Sequence, residues 1–260
     1  MMERMDRRMF LRLGAGGLAA AMLPLATACS TSSLPGVDVS AGPVAFADDG
    51  TRFEVRPERH RLVIARAGQE QTVGGVGRAD GKLNFPIAVA TMGGLAYVVD
   101  HGNHRVQVYD RDAATTGSLG GDTLFHPSGI VARDGEIVVA DSRNARLVVF
   151  TPDGRVLRIL GEGQLSAPRG LAYLGDRLLV ADAGLREILE LARDGSIVRR
   201  HAGWVLPYDV ATDGERLFVA DAASTQLAVL ERGGRRIDAV ELERAPRSVM
   251  LASDGILYVS

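Results

Sequence analysis

A repeat of about forty residues runs through most of this chain and limits the folds open to it more than any other feature. Prolines 43, 86, 127, 168, 207 and 246 each open a copy, so successive copies are 43, 41, 41, 39 and 39 residues apart. From Pro127 the copy reads PSGIVARDGEIVVADSRNARLVVFTPDGRVLRILG, and from Pro168 it reads PRGLAYLGDRLLVADAGLREILELARDGSIVRRHAG. Pro207 opens a third close copy, Pro86 an earlier one with a longer tail, and Pro43 a degenerate first one. A unit this short cannot bury its apolar faces alone, so the copies must cover one another.

One copy is enough to read the fold. In the Pro127 unit, Gly129 to Ala132 is a short apolar run and Asp134-Gly135 a tight turn. Residues 136–140 form a β-rich second strand, 141–145 a polar loop and 147–150 a third strand. Pro152-Asp153-Gly154 turns the chain into a fourth strand at 155–160. Asp-Gly supplies the positive φ that tight hairpins need. Four antiparallel strands joined by short turns make one blade of a propeller. The first strand is rich in small residues such as Gly129, Gly170, Ala88 and Ala211, as crowding around an axis requires. The second is continuously apolar, as in Leu178-Leu179-Val180-Ala181, because it is covered on both faces. The expected fold is an all-β, six-bladed β-propeller of four-stranded antiparallel blades, spanning 43–260, with the last blade incomplete. Either residues 37–42 add a strand to that blade and close the ring, or the sequence is cut short.

Residues 99–109, VDHGNHRVQVY, with the openings Phe85-Pro86-Ile87-Ala88-Val89 and His126-Pro127-Ser128-Gly129-Ile130, resemble the NHL repeat. The resemblance covers roughly residues 43–260 and implies a β-propeller. It leaves function open, because the family includes lyases, sensor domains and interaction scaffolds. The copies depart from the pattern at Arg56, where other blades have aspartate, and at Glu187 and Gln226, where Arg105 and Arg146 stand in blades two and three.

The N-terminus reads as an export segment. Asp6-Arg7-Arg8-Met9-Phe10-Leu11-Arg12 resembles a twin-arginine motif with Arg7 and Arg8 as the pair, and residues 13–28 form a glycine-rich apolar stretch that suits a signal peptide over 1–28. Cys29, the only cysteine, follows Ala26-Thr27-Ala28. Either it is lipidated, which is the favoured reading, or it begins a soluble periplasmic protein. Residues 29–42 would then be a flexible tether. A net charge of −2 with interspersed signs lacks the basic stripe that nucleic acid requires. The expected location is the bacterial periplasm or cell envelope, with membrane attachment only through Cys29.

Because strands alternate in direction, the loops before each proline and after each strand-two aspartate share one face. That loop-rich channel mouth is the default ligand site. The ligand-face candidates are His101, His126, Arg169, Tyr208, Arg247 and Trp204. Arg169, Tyr208 and Arg247 each follow a proline, in blades four to six, and form a cationic, hydrogen-bonding arc suited to carboxylate or phosphate. All five histidines are expected on this face: His60, His101, His104, His126, and His201 in the loop leading to Pro207. Solvated or structural roles are favoured for them, since no HxH, HExxH or Cys/His cluster appears and metal binding would need histidines of different blades to converge. Asp100, Asp141, Asp182 and Asp221 end the buried strands and read as structural acids accepting backbone N–H bonds, with Arg105 and Arg146 as partners in two blades.

These residues favour a binding scaffold over an enzyme. The expected function is an exported, lipid-anchored propeller whose loop-rich face binds a protein, peptide or envelope polymer; the sequence identifies no cofactor and favours none. The alternative implied by the resemblance is a metal-assisted lyase or lactonase at the channel mouth, using zinc or calcium. The sequence identifies no catalytic residue.

Overall fold

The computed structural model describes residues 35–40 and 42–260 as six β-sheets: five have four antiparallel strands and one has three. The sheets are the blades of a β-propeller, one per copy of the repeat. Blade three shows the pattern, with strands Pro127–Arg133, Glu136–Asp141, Arg146–Phe150 and Val156–Leu160. Its first hairpin places Asp134 at φ 53° and Gly135 at φ 78°, the left-handed pair a two-residue turn between twisted strands requires. The loop after Asp141 is more ordered than the sequence implied. Ser142–Asn144 forms one 3₁₀ turn, ended by Ala145 at φ 51°. Blades one and two use the same device, with His60 and His104 in the left-handed position.

The core lies between blades. Tyr97, Val99, Val106 and Val108 of blade two pack on Ile130, Ile137, Val139 and Phe150 of blade three. Blades one and two, three and four, four and five, and five and six meet in the same way. Each fully buried Val, Leu, Ile or Phe contributes about 1.5–3 kcal/mol relative to leaving it exposed. The second strands are buried almost end to end, as Arg216–Asp221 shows. This is why they lack apolar–polar alternation.

The first strand of each complete blade after blade one slips register just past its proline, between Pro86 and Ala88, Pro127 and Ile130, Pro168 and Leu171, and Pro207 and Asp209. Such a bulge re-aims the residues after it, and here those residues line the channel. The approach of neighbouring blades is close. A Cβ on Gly129 would collide with the Arg169 carbonyl, and one on Gly170 with the Asp209 carboxylate.

Blade six holds Val249–Leu251 and Ile256–Val259, with Gly36–Val39 paired in parallel to the latter. Gly36–Val39 therefore runs in the direction of a fourth strand while occupying the third position. The Ser40 N–H donates to the Val259 carbonyl at 2.9 Å, and the Phe46 and Tyr258 rings lie 5.1 Å apart, joining blade six to blade one. The signal segment, Arg7, Arg8 and Cys29 lie outside the described residues.

Two substitutions test this packing. Val219 is fully buried, so Val219→Asp strands an unpaired charge and should leave no folded protein by circular dichroism. Gly129→Ala overpacks the blade three–four contact and should cost about 1–3 kcal/mol in denaturant unfolding.

Candidate functional site

Four buried carboxylates set the shape of the loop face. Asp100 accepts from the Asn84 N–H at 2.6 Å, Asp141 from Phe125 at 2.6 Å, Asp182 from Ser166 at 2.9 Å and Asp221 from Val205 at 2.9 Å. The donor is always two residues before the blade's own proline, so each carboxylate ties the end of strand two to the loop entering the blade. In blades two and three the remaining oxygen takes an asparagine and an arginine. Asn103 and Arg105 bind Asp100 at 2.8 and 2.9 Å, and Asn144 and Arg146 bind Asp141 at the same distances. In blades four and five it takes more backbone: Asp182 also holds the Ala167, Gly184 and Leu185 N–H groups, and Asp221 those of Leu206 and Ala223.

Histidine accounts for this difference. The N–H just before Pro86 belongs to Phe85 and donates to His60 Nδ1 at 2.9 Å; the one before Pro127 belongs to His126 and donates to His104 Nδ1 at 3.0 Å. In the equivalent positions of blades three and four stand Ala145 and Arg186, and there the aspartate takes that N–H instead. Phe85 and His126 pay for the histidine contact with left-handed backbones, φ 55° and 51°. His60 and His104 thus satisfy backbone donors at the blade junctions.

His101 and His126 face one another on the same side. His101 Nδ1 donates to the Pro127 carbonyl at 2.8 Å, which leaves its Nε2 to accept from His126 Nδ1 at 3.2 Å. The His104 and His126 rings are 4.3 Å apart. Burial lowers the pKa of His101, although its bond to Pro127 opposes this; burial, then the neighbouring His101 and His104, lowers that of His126. Both shifts favour the neutral ring. Among the described residues, no three His, Cys, Asp or Glu side chains gather closely enough to hold a metal ion.

His201 lies elsewhere than expected. It belongs to the outermost strand of blade four, Ile197–Ala202, and is buried against Glu190, with Nε2 2.9 Å from Oε1. The strand runs further toward Pro207 than its polar residues implied. Trp204 follows in the loop, donating from Nε1 to the His201 carbonyl at 3.0 Å. Its ring packs on the core between blades four and five. It fills the position, three before the proline, that buried Leu83, Leu124 and Leu165 take in other blades.

The channel contains a cavity of about 300 Å³, with Ser128, Arg169, Tyr208 and Arg247 around it. Arg169 lies over the Tyr208 ring, 4.7 Å from its centroid, and its Nη1 is 3.3 Å from the Tyr208 hydroxyl. The Arg169 Nε is enclosed and has no hydrogen-bond partner among the described residues. Arg247 is exposed on blade six, next to the blade that carries Tyr208.

Sequence reasoning passed over Asp209. It is two residues after its proline, where the other blades carry Ala45, Ala88, Gly129, Gly170 and Ser248. Its carboxylate lines the cavity, accepting from the Val210 N–H and, across the blade junction, the Val249 N–H, both at 2.9 Å. Burial raises its pKa from 3.8 to about 7 against those two bonds. The break in a column of small residues was the available signal.

The fold and these residues can be set beside known proteins. Residues 83–109 and 126–150 match the NHL repeat. No curated protein matches the chain. Among solved structures, a gluconolactonase from Xanthomonas campestris aligns with TM-score 0.67 and 20% identity, over 84% of this chain and 82% of that one. The nidogen/laminin complex contains a chain aligning with TM-score 0.64 and 18% identity, over 84% and 83%. Virginiamycin B lyase from Staphylococcus aureus, crystallised as the inactive H270A form with quinupristin, aligns with TM-score 0.63 and 12% identity, over 84% and 83%. At these identities the likeness is one of fold.

The folded chain keeps a proton on Asp209 up to about pH 7, whereas the unfolded chain releases it near 3.8. This group therefore favours folding most below pH 4, and its contribution is withdrawn as pH rises to 7. Denaturant unfolding of wild type and Asp209→Asn should show a stability difference that shifts by a few kcal/mol against wild type between pH 4 and pH 8. The chain is a six-bladed β-propeller whose second and third blades match the NHL repeat.

Proposed function

We propose that this chain is an exported binding module, anchored in the cell envelope through Cys29, whose loop-rich face holds an anionic segment of a protein, peptide or envelope polymer. The observation that carries this reading is Arg169. Its guanidinium is held over Tyr208 at the channel wall with an enclosed Nε that no group among the described residues satisfies. An unpaired donor in an enclosed setting is costly, and a carboxylate or phosphate oxygen would relieve it with a charge-assisted bond. Arg247 adds positive charge two blades on, beyond Tyr208, and exposed Phe125, Val205 and Leu206 in the loops before the prolines add apolar contact.

A fluorescent oligo-glutamate peptide provides the probe. It should bind the propeller in a salt-sensitive manner, while oligo-lysine does not. Arg169→Ala with Arg247→Ala should weaken binding at least about tenfold, the loss of one charge-assisted contact. The melting temperature should move by only a few degrees, because rim charges contribute little to stability. Unchanged affinity in the double variant would sink the proposal. For export, Arg7→Lys with Arg8→Lys should retain the precursor in the cytoplasm, and Cys29→Ser should move the protein from the membrane to the soluble periplasmic fraction on immunoblots.

The fold likeness to a lactonase and a lyase supports a second reading, a metal-assisted reaction at the channel mouth. It requires donors that are not gathered among the described residues. Stoichiometric zinc or calcium in purified untagged protein, measured by elemental analysis, would favour it over the scaffold.

A further inference from the structure

We infer that the group entering the channel is a zwitterionic amino acid, with its ammonium on Asp209 and its carboxylate on the Arg169–Arg247 arc. The inference rests on the anion reading above for the carboxylate and adds the opposite charge and the apolar portion. Its starting point is the placement of Asp209. Five of the six equivalent positions carry Gly, Ala or Ser, because neighbouring blades approach there too closely for more. At the sixth, a carboxylate is accommodated by a glycine: Gly170 has no Cβ and lies against Asp209 Oδ1. The inner wall is thus shaped around an acid.

Among the described residues that acid has no cation. Its two protein bonds come from the uncharged backbone N–H groups of Val210 and Val249, one to each oxygen. Each oxygen keeps a further acceptor site, and the side chain borders the cavity. The charged or titratable groups lining that cavity are Arg169, Arg247, Tyr173, Tyr208 and Asp209. Neither arginine forms an ion pair with Asp209 among the described residues. A half-buried carboxylate without a counter-ion is disfavoured in its charged form, and that cost is recovered if a ligand brings the missing positive charge.

Geometry orders the contacts. Arg169, Tyr208 and Arg247 are one residue past their prolines; Asp209 and Ser248 are one residue further along the same inner strands. Beyond them the lining is mainly apolar, from Val89, Ile130, Leu171 and Met250, with Thr91 and Tyr173 among it. A ligand thus meets positive charge, then negative charge, then a mainly apolar wall. At about 300 Å³ the cavity accommodates an apolar α-amino acid and is at the small end of ligand sites. Charges of opposite sign on one wall select a molecule that carries both, because a ligand lacking either would cover one of these partly exposed groups without pairing it.

The test uses leucine, N-acetyl-leucine and leucinamide with the full chain, by titration calorimetry at pH 7 in two buffers of different ionisation enthalpy. Leucine should bind, with the other two at least about tenfold weaker. Free Asp209 is about half protonated at pH 7, and an ammonium beside it favours the ionised form, so leucine should release about half a proton per site. In Asp209→Asn the preference for leucine over N-acetyl-leucine should vanish. Should that variant not fold, proton release from wild type stands as an independent readout. If N-acetyl-leucine binds as well as leucine and no proton is released, the ammonium site is wrong while the anion arc survives. If leucinamide binds as well as leucine, the arc itself is wrong. Absence of leucine binding at millimolar concentrations overturns the inference.

Discussion

The loop face of this propeller depends on one interaction, a buried carboxylate at the end of strand two accepting the backbone N–H two residues before the proline of the same blade. It recurs at Asp100, Asp141, Asp182 and Asp221, with distances from 2.6 to 2.9 Å. Loops joining two blades expose backbone donors at a point where the next blade excludes water, and such donors are costly when unmet. An ionised acceptor meets them with the strongest hydrogen bond available to a side chain. The carboxylates in turn are tolerable in the interior because three or four donors surround each one.

Two further features follow from that tie. The proline is fixed relative to strand two, so the bulge after it always falls at the same height and presents the next residues to the channel. Arg169 and Tyr208 then sit on adjacent blades at one level, which is what permits the guanidinium to lie over the ring. The tie also makes the blades interchangeable at their junctions: histidine at residues 60 and 104, or a second aspartate oxygen in blades four and five, satisfies the same donor. Variation there changes which side chains face the ligand without disturbing the frame.

The architecture was legible because its causes are local and repeated. Asp-Gly turns, continuously apolar second strands and small first-strand residues each report a single physical demand. The site was less so. Arg169, Tyr208 and Arg247 could be grouped, since their spacing from the prolines places them at one level. Asp209 could not, because the expectation of small residues in that column came from the other blades and the clearance that admits it belongs to Gly170, a blade away. His201, expected in the loop leading to Pro207, ends an outermost strand, which needs no apolar face, and its buried partner Glu190 is 11 residues distant in sequence. The parallel pairing of Gly36–Val39 with the last strand is a contact between the two ends of the described chain, which no local pattern encodes.

Amide hydrogen exchange tests the carboxylate tie most directly. Asn84, Phe125, Ser166 and Val205 are in loops outside any strand, and unassisted loop amides exchange rapidly. If the four aspartates hold them, these amides should exchange as slowly as those of the neighbouring second strands, and Asp141→Asn should selectively accelerate Phe125. Rapid exchange at all four positions in the intact, folded chain would contradict the account.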